Sequence, residues 1–180
     1  FELREEMDKY LGSIPELSPG DTPRSLSDIV QFNEDNAYRE MRWFGQDIFY
    51  TALATTDRAA YEEARENALR IAGKETIDTL LAENDVTFLI APTRGPAWTT
   101  DLVNGDRFAR NVGFGSPAAI AGYPHLTVPM GYLHHLPVGL SIIGAKWADH
   151  DVLKAGAAFE RARTQDLPTP QFKRWNLPEN

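Results

Sequence analysis

The sequence predicts a mixed α/β fold, with about five helices covering a few strands of a larger mixed sheet, and three observations predict it. Apolar residues recur at helical spacing through most of residues 1–85. The period then changes, because Val86–Ala91 is a continuous apolar run between Asp85 and Pro92, as expected of a strand buried on both faces. Two more strand-like runs, Leu126–Met130 and Val138–Ile143, are so apolar that three strands alone leave faces uncovered, so further strands are expected outside this sequence.

Taken in order, Leu3, Met7, Tyr10 and Leu11 form one helix face, closed by Gly12. Residues 13–23, with three prolines, read as a linker. Ser25, three residues before Asp28, caps a short helix through Ile29, Val30 and Phe32. A helix is expected over Arg39–Ala54, with Trp43, Phe44, Ile48, Phe49 and Leu53 as its apolar side. Asp57 is the expected N-cap of the longest helix, which reaches Glu83 and has Gly73 as its weak point and expected kink. Residues 92–117 are rich in Gly, Pro and Asn, with a tight turn at Asn104-Gly105, and so long a connection is expected to be functional. The Gly131–Pro137 loop joins the two later strands, and Asp149 caps the last helix, which carries Arg161 and Arg163 near its C-terminus. Residues 167–180 form an extended, Pro-rich tail.

Composition narrows the function classes. A chain of 180 residues, 42% hydrophobic, can bury a core as one domain over 1–180. Residues 1–90 hold 9 Lys+Arg against 19 Asp+Glu, a net of −10, and residues 91–180 hold 9 against 7, a net of +2. Without a basic stripe, nucleic acid is not an expected partner. The absence of cysteine excludes disulfides, thiolate metal sites and a Cys nucleophile. No apolar run reaches the length of about 18 residues needed for a membrane span. Phe1 opens directly into a helical pattern, so the native start is expected upstream of it.

The residues offer no convincing catalytic constellation. Ser141, in Gly139-Leu140-Ser141-Ile142-Ile143-Gly144, has a nucleophile elbow's composition but one residue too many before the second Gly, and it reads as a small residue within a packed strand. Ser116, before Pro117, reads as a helix cap or turn residue. His125, His134, His135 and His150 lack metal-ligand spacing, and His134-His135 reads as a solvated loop pair. One segment does look functional: the residues just beyond the Val86–Ala91 strand. Ligands of open α/β sheets bind beyond the carboxyl ends of strands. There Thr93, Arg94, Trp98 and Asp101 are the candidate substrate-binding residues, with Trp98 placed to enclose an apolar group and Arg94 and Asp101 to pair with each other or with a polar ligand.

The run Ala121-Gly122-Tyr123-Pro124-His125-Leu126-Thr127-Val128-Pro129-Met130-Gly131, followed by Leu136-Pro137-Val138-Gly139-Leu140-Ser141-Ile142-Ile143-Gly144, resembles the paired strand motifs of the amidase signature family. The resemblance extends over about Leu26–Arg163. Arg39–Gln46 and Gly95-Pro96-Ala97-Trp98 resemble the peptide-amidase-like branch. It implies that the chain is the C-terminal part of a hydrolase that cleaves carboxamides through an acyl-enzyme, using a Ser nucleophile, a relay Ser and a Lys base, with no metal or organic cofactor. Those catalytic residues do not map here: no Ser-Ser pair is present, and Lys9, Lys74, Lys146, Lys154 and Lys173 stand in unrelated contexts. The expected contribution is therefore core and pocket wall, with no activity in the chain alone. The alternative is a stand-alone, non-catalytic module that binds a ligand or partner. Either way, the poorly charged strands 126–130 and 138–143 are expected to promote self-association of the isolated chain.

Overall fold

The computed structural model describes residues 1–15, 22–106, 113–134, 136–163 and 166–167. Residues 16–21 of the expected linker, 107–112 of the long loop, His135 and all of the expected tail but Leu167 lie outside the described residues. The mixed α/β architecture expected from the sequence is the one observed. The chain forms two compact units, Phe1–Glu66 and Asn67–Asn180.

The first unit contains α1 (Glu2–Ser13), α2 (Leu26–Asp35), α3 (Ala37–Glu40), α4 (Asp47–Ala54) and the first part of α5 (Arg58–Leu69). Ser25 accepts a hydrogen bond from the Asp28 amide at 3.1 Å and Asp57 one from the Ala60 amide at 3.0 Å, so both expected N-caps are present. The single helix expected over Arg39–Ala54 is instead two, α3 and α4, with residues 41–46 non-helical between them. Gln46 accounts for the break. Its buried side chain donates to the Val30 carbonyl and to the Tyr50 hydroxyl, and accepts from Asn33 Nδ2 at 3.0 Å. Such a fully satisfied buried amide ties α2 to α4 and fixes where α4 begins. The break also disrupts the expected apolar side, leaving Trp43, Phe44 and Ile48 exposed.

The second unit opens with the end of α5, which continues as a π-helical stretch, Arg70–Asp78, and then α6 (Thr79–Glu83). The expected weak point at Gly73 has a packing role. It lies inside the π stretch, where a Cβ would meet the Tyr123 ring at 3.0 Å and Ala121 Cβ at 3.2 Å, so its missing side chain admits that close contact. Thr76 and Thr79 donate to carbonyls five residues back, Ile71 and Lys74, matching the wider turn. Widening the turn also rotates the buried stripe onto Ala72, Ile77 and Leu81 and leaves Ile71 exposed, where a 3.6-residue period places it inward.

Three strands follow: β1 (Phe88–Pro92), β2 (His125–Leu133) and β3 (Leu136–Gly144), in the order β1-β3-β2, both pairings antiparallel. The first strand begins two residues later than expected; among the described residues it pairs on one side only, with β3, and Ile90 is exposed. The expected Gly131–Pro137 loop is also mostly strand, since pairing runs on to Leu133 and Leu136, and His134 after it has φ +50°. Pro129 has no N–H to donate, and the register slips by one residue between Pro129 and Gly131, a bulge at Met130.

Alternation along the strands sorts the core into two layers. On one face Leu126, Val128, Leu140, Ile142 and Phe88 pack against Val152, Ala155 and Phe159 of α8 (Asp149–Ala162). On the other, Ile143 and Leu89 meet Ile77, Leu81 and Ala118, the last from α7 (Gly115–Ala121). Asp149 is the first residue of α8 rather than its cap, which is Ala148.

Candidate functional site

The π-stretch face of the sheet carries more than apolar core. Thr127 and Ser141 are register partners, His125 lies opposite Ile143, and Thr93 continues β1 by donating its amide to the Gly139 carbonyl at 2.7 Å. All four side chains therefore share one face of the sheet. Ser141 is fully buried, as the packed-strand reading required. Its hydroxyl is within hydrogen-bond distance of His125 Nε2 at 2.6 Å and of Thr93 Oγ1 at 3.0 Å, and Thr93 reaches Thr127 Oγ1 at 3.3 Å. Three hydroxyls and an imidazole thus form one line across three strands. Sequence reasoning set His125 aside, since it has no partner at a readable spacing; its partner stands sixteen residues away and is placed by strand register.

Beside this line is an open hollow of about 370 Å³ walled by Thr93, Arg94, Ser116 and His125, with Gly113, Gly115 and Ala119 completing it. Gly113 has φ +139°, and a Cβ there would sit 2.3 Å from the Thr93 carbonyl oxygen, so only glycine lets the two backbones approach. Ser116 does not cap α7, as the sequence reading had it. Phe114 is the N-cap position, and Ser116 is already helical.

The four sequence candidates separate. Thr93 and Arg94 line this hollow. Asp101 lines a different one of about 520 Å³, with Thr99, Thr100, Leu102 and Gly105. Trp98 is partly exposed and lines neither. Asp101 is not paired with Arg94: its carboxylate accepts from the amides of Val103 and Asn104 and from Asn104 Nδ2, an Asx turn that sets up the Asn104-Gly105 bend. Those bonds, the Asn104 amide first, hold the Asp101 carboxyl below its ordinary value.

Among the described residues no group of three metal-ligating side chains is present, and no helix is long and apolar enough to cross a membrane. Among the described residues no lysine lines the hollow. Lys9 faces Glu6 on α1, Lys154 faces Asp151 on α8, and Lys146 lies beside the Trp147 ring.

Comparison with known proteins gives this arrangement its context. The amidase family model matches residues 3–153. A probable amidase of Arabidopsis thaliana is 30% identical over 151 residues, which is 83% of this chain and 26% of that protein. The native peptide amidase of Stenotrophomonas maltophilia superposes with a TM-score of 0.80 at 35% identity, over 97% of this chain and 34% of that one. Peptide amidase in complex with the competitive inhibitor chymostatin gives 0.83 at 38% identity, over 96% and 34%. The chain thus spans between a quarter and a third of the length of these relatives. On the family match and the shared fold together, the chain belongs to the amidase signature family.

Proposed function

We propose that this chain supplies core and one wall of the substrate pocket in a serine amidase that hydrolyses carboxamide C–N bonds through an acyl-enzyme, the nucleophile, relay serine and lysine base being residues other than these 180. One observation carries the reading. The hollow beyond β1 holds hydroxyls, an imidazole and a guanidinium, groups that position a polar ligand, but among the described residues no lysine lines it. Ser141, bonded to a histidine, is buried out of reach of any substrate. A nucleophile needs both a base in reach and an open approach, and neither Ser116 nor Ser141 has the two together. Likeness to peptide amidase supports the amide of a peptide as the substrate class, and Thr93 and Arg94 are the residues of this wall placed to meet it. Trp98 and Asp101 shape the loop that follows.

The test is turnover. The 180-residue chain alone is expected to hydrolyse neither a simple amide nor a peptide amide. Hydrolysis that survives the double change Ser116→Ala, Ser141→Ala would show a nucleophile elsewhere in the chain and end this reading. A peptide amide added to the same chain should perturb the backbone resonances of Thr93, Arg94 and Gly113–Ser116, and leave those of α8 unmoved.

A further inference from the structure

The hydroxyl line can run in either of two directions, and the direction bears on specificity. Ser141 has one hydroxyl hydrogen; when it goes to Thr93 Oγ1, Thr93 can donate onward to Thr127. In that arrangement the 2.6 Å contact to His125 is one in which Nε2 donates and Ser141 Oγ accepts. A neutral imidazole that donates from Nε2 carries a lone pair at Nδ1. The Cε1–Nδ1 edge of the ring lies against Gly115, where a Cβ would meet Cε1 at 2.9 Å and Nδ1 at 3.5 Å. Among the described residues Nδ1 has no hydrogen-bond partner, and the ring walls the hollow. Arg94, on the same hollow, forms no ion pair among the described residues and places a cationic donor there.

We propose that His125 is a specificity-determining residue: the line Ser141–Thr93–Thr127 holds its ring in the Nε2–H form, so that Nδ1 stands as a fixed acceptor which reads the N–H of a bound carboxamide. This rests on the pocket-wall reading above. An amide group donates through nitrogen and accepts through oxygen, so it satisfies His125 and Arg94 together. The free acid left after hydrolysis presents acceptors only: one carboxylate oxygen gains a charge-assisted contact with Arg94, and the other is set against the Nδ1 lone pair, so the part of the preference due to His125 is the part that His125→Phe removes. His125 thereby favours substrate over product.

The chain has four histidines, so their ring nitrogens can be separated by long-range proton–nitrogen NMR at a pH where the imidazoles are neutral. The expected result is a pyrrole-type Nε2 and a pyridine-type Nδ1 for His125. An N-acetyl dipeptide amide should move Nδ1 upfield and bind about tenfold more tightly than the matching free acid, the scale of one hydrogen bond. In His125→Phe that preference should fall, and Ser141→Ala should mix the two tautomers. A free chain with the proton on Nδ1 overturns the inference, whatever the variants do. So does a bound amide that leaves Nδ1 unmoved, or a preference intact in His125→Phe; these outcomes leave the pocket-wall reading standing. If neither ligand shifts any resonance of the hollow, both fall together.

Discussion

On the α8 face of the sheet, Leu126, Val128, Leu140 and Ile142 meet Val152 and Phe159, and every contact in that layer is apolar. On the opposite face the same strands carry apolar Leu89 and Ile143 and also polar Thr93, His125, Thr127 and Ser141. The first layer is simple to specify, because volume and apolarity suffice to fill it. The second sets polar groups into a sheet face, where each must find a partner, and the line of hydroxyls meets that demand for the buried Ser141. A face of this kind does more than hold a fold together, and the hollow opens on it.

The comparison can be broken first at the apolar layer. Ile142→Ala leaves a cavity in a residue that is 4% exposed and should cost about 2–5 kcal/mol in denaturant unfolding. The ring signals of His125 should hold their positions, because the truncated side chain points to the other face. Movement of those signals would mean that the faces are coupled. Ser141→Ala, on the polar face, should cost about 1–3 kcal/mol, because it removes the two hydrogen bonds made by a buried hydroxyl. Here the His125 signals should change, so the smaller loss of stability comes with the larger change at the hollow. No change in the ring would sink the distinction.

Tyr123 sharpens the comparison at the smallest scale. It packs over Gly73 and donates to Asp78 Oδ2 at 2.9 Å, and Tyr123→Phe should cost about 0.5–1.5 kcal/mol. Burial first, and then the Asp78 carboxylate, raise the Tyr123 hydroxyl above the ordinary tyrosine value of 10.0. A group whose folded value is raised contributes stability that is fully present below its unfolded value and is lost as pH rises through the folded one. Alkaline titration above about pH 10 should therefore erode the stability of the unchanged chain more than that of Tyr123→Phe. Equal erosion in the two would show that the tyrosine is not the group responsible.

Much of the fold was legible where the cause is local. Ser25 and Asp57 announce helix starts because their short side chains reach an amide three residues on. Leu126–Met130 and Val138–Ile143 read as strands from apolar density, and the structure lengthens both. What was misread has distant causes. Nothing near Gln46 tells that its amide reaches Val30 and Asn33, so one helix was expected where two exist. The close packing of Tyr123 over Gly73 within the π stretch joins residues fifty apart in the chain, which spacing along the chain does not reveal. Within the site, Thr93 and Arg94 were found from their place after a strand. His125 was missed because its meaning depends on Ser141.

The sequence by itself determined the class of fold, the positions of most helices and strands, and, through its paired strand motifs, the family. Each rests on spacing along the chain or on the pattern of side chains, which the linear order contains. Tertiary structure alone decided that β1 pairs with β3, that Asp101 turns away from Arg94 to close its own loop, and that four polar side chains align on one face. The physical reason is register. A hydrogen bond between strands joins residues by alignment, and a slip of one position would send Ser141 and His125 to opposite faces.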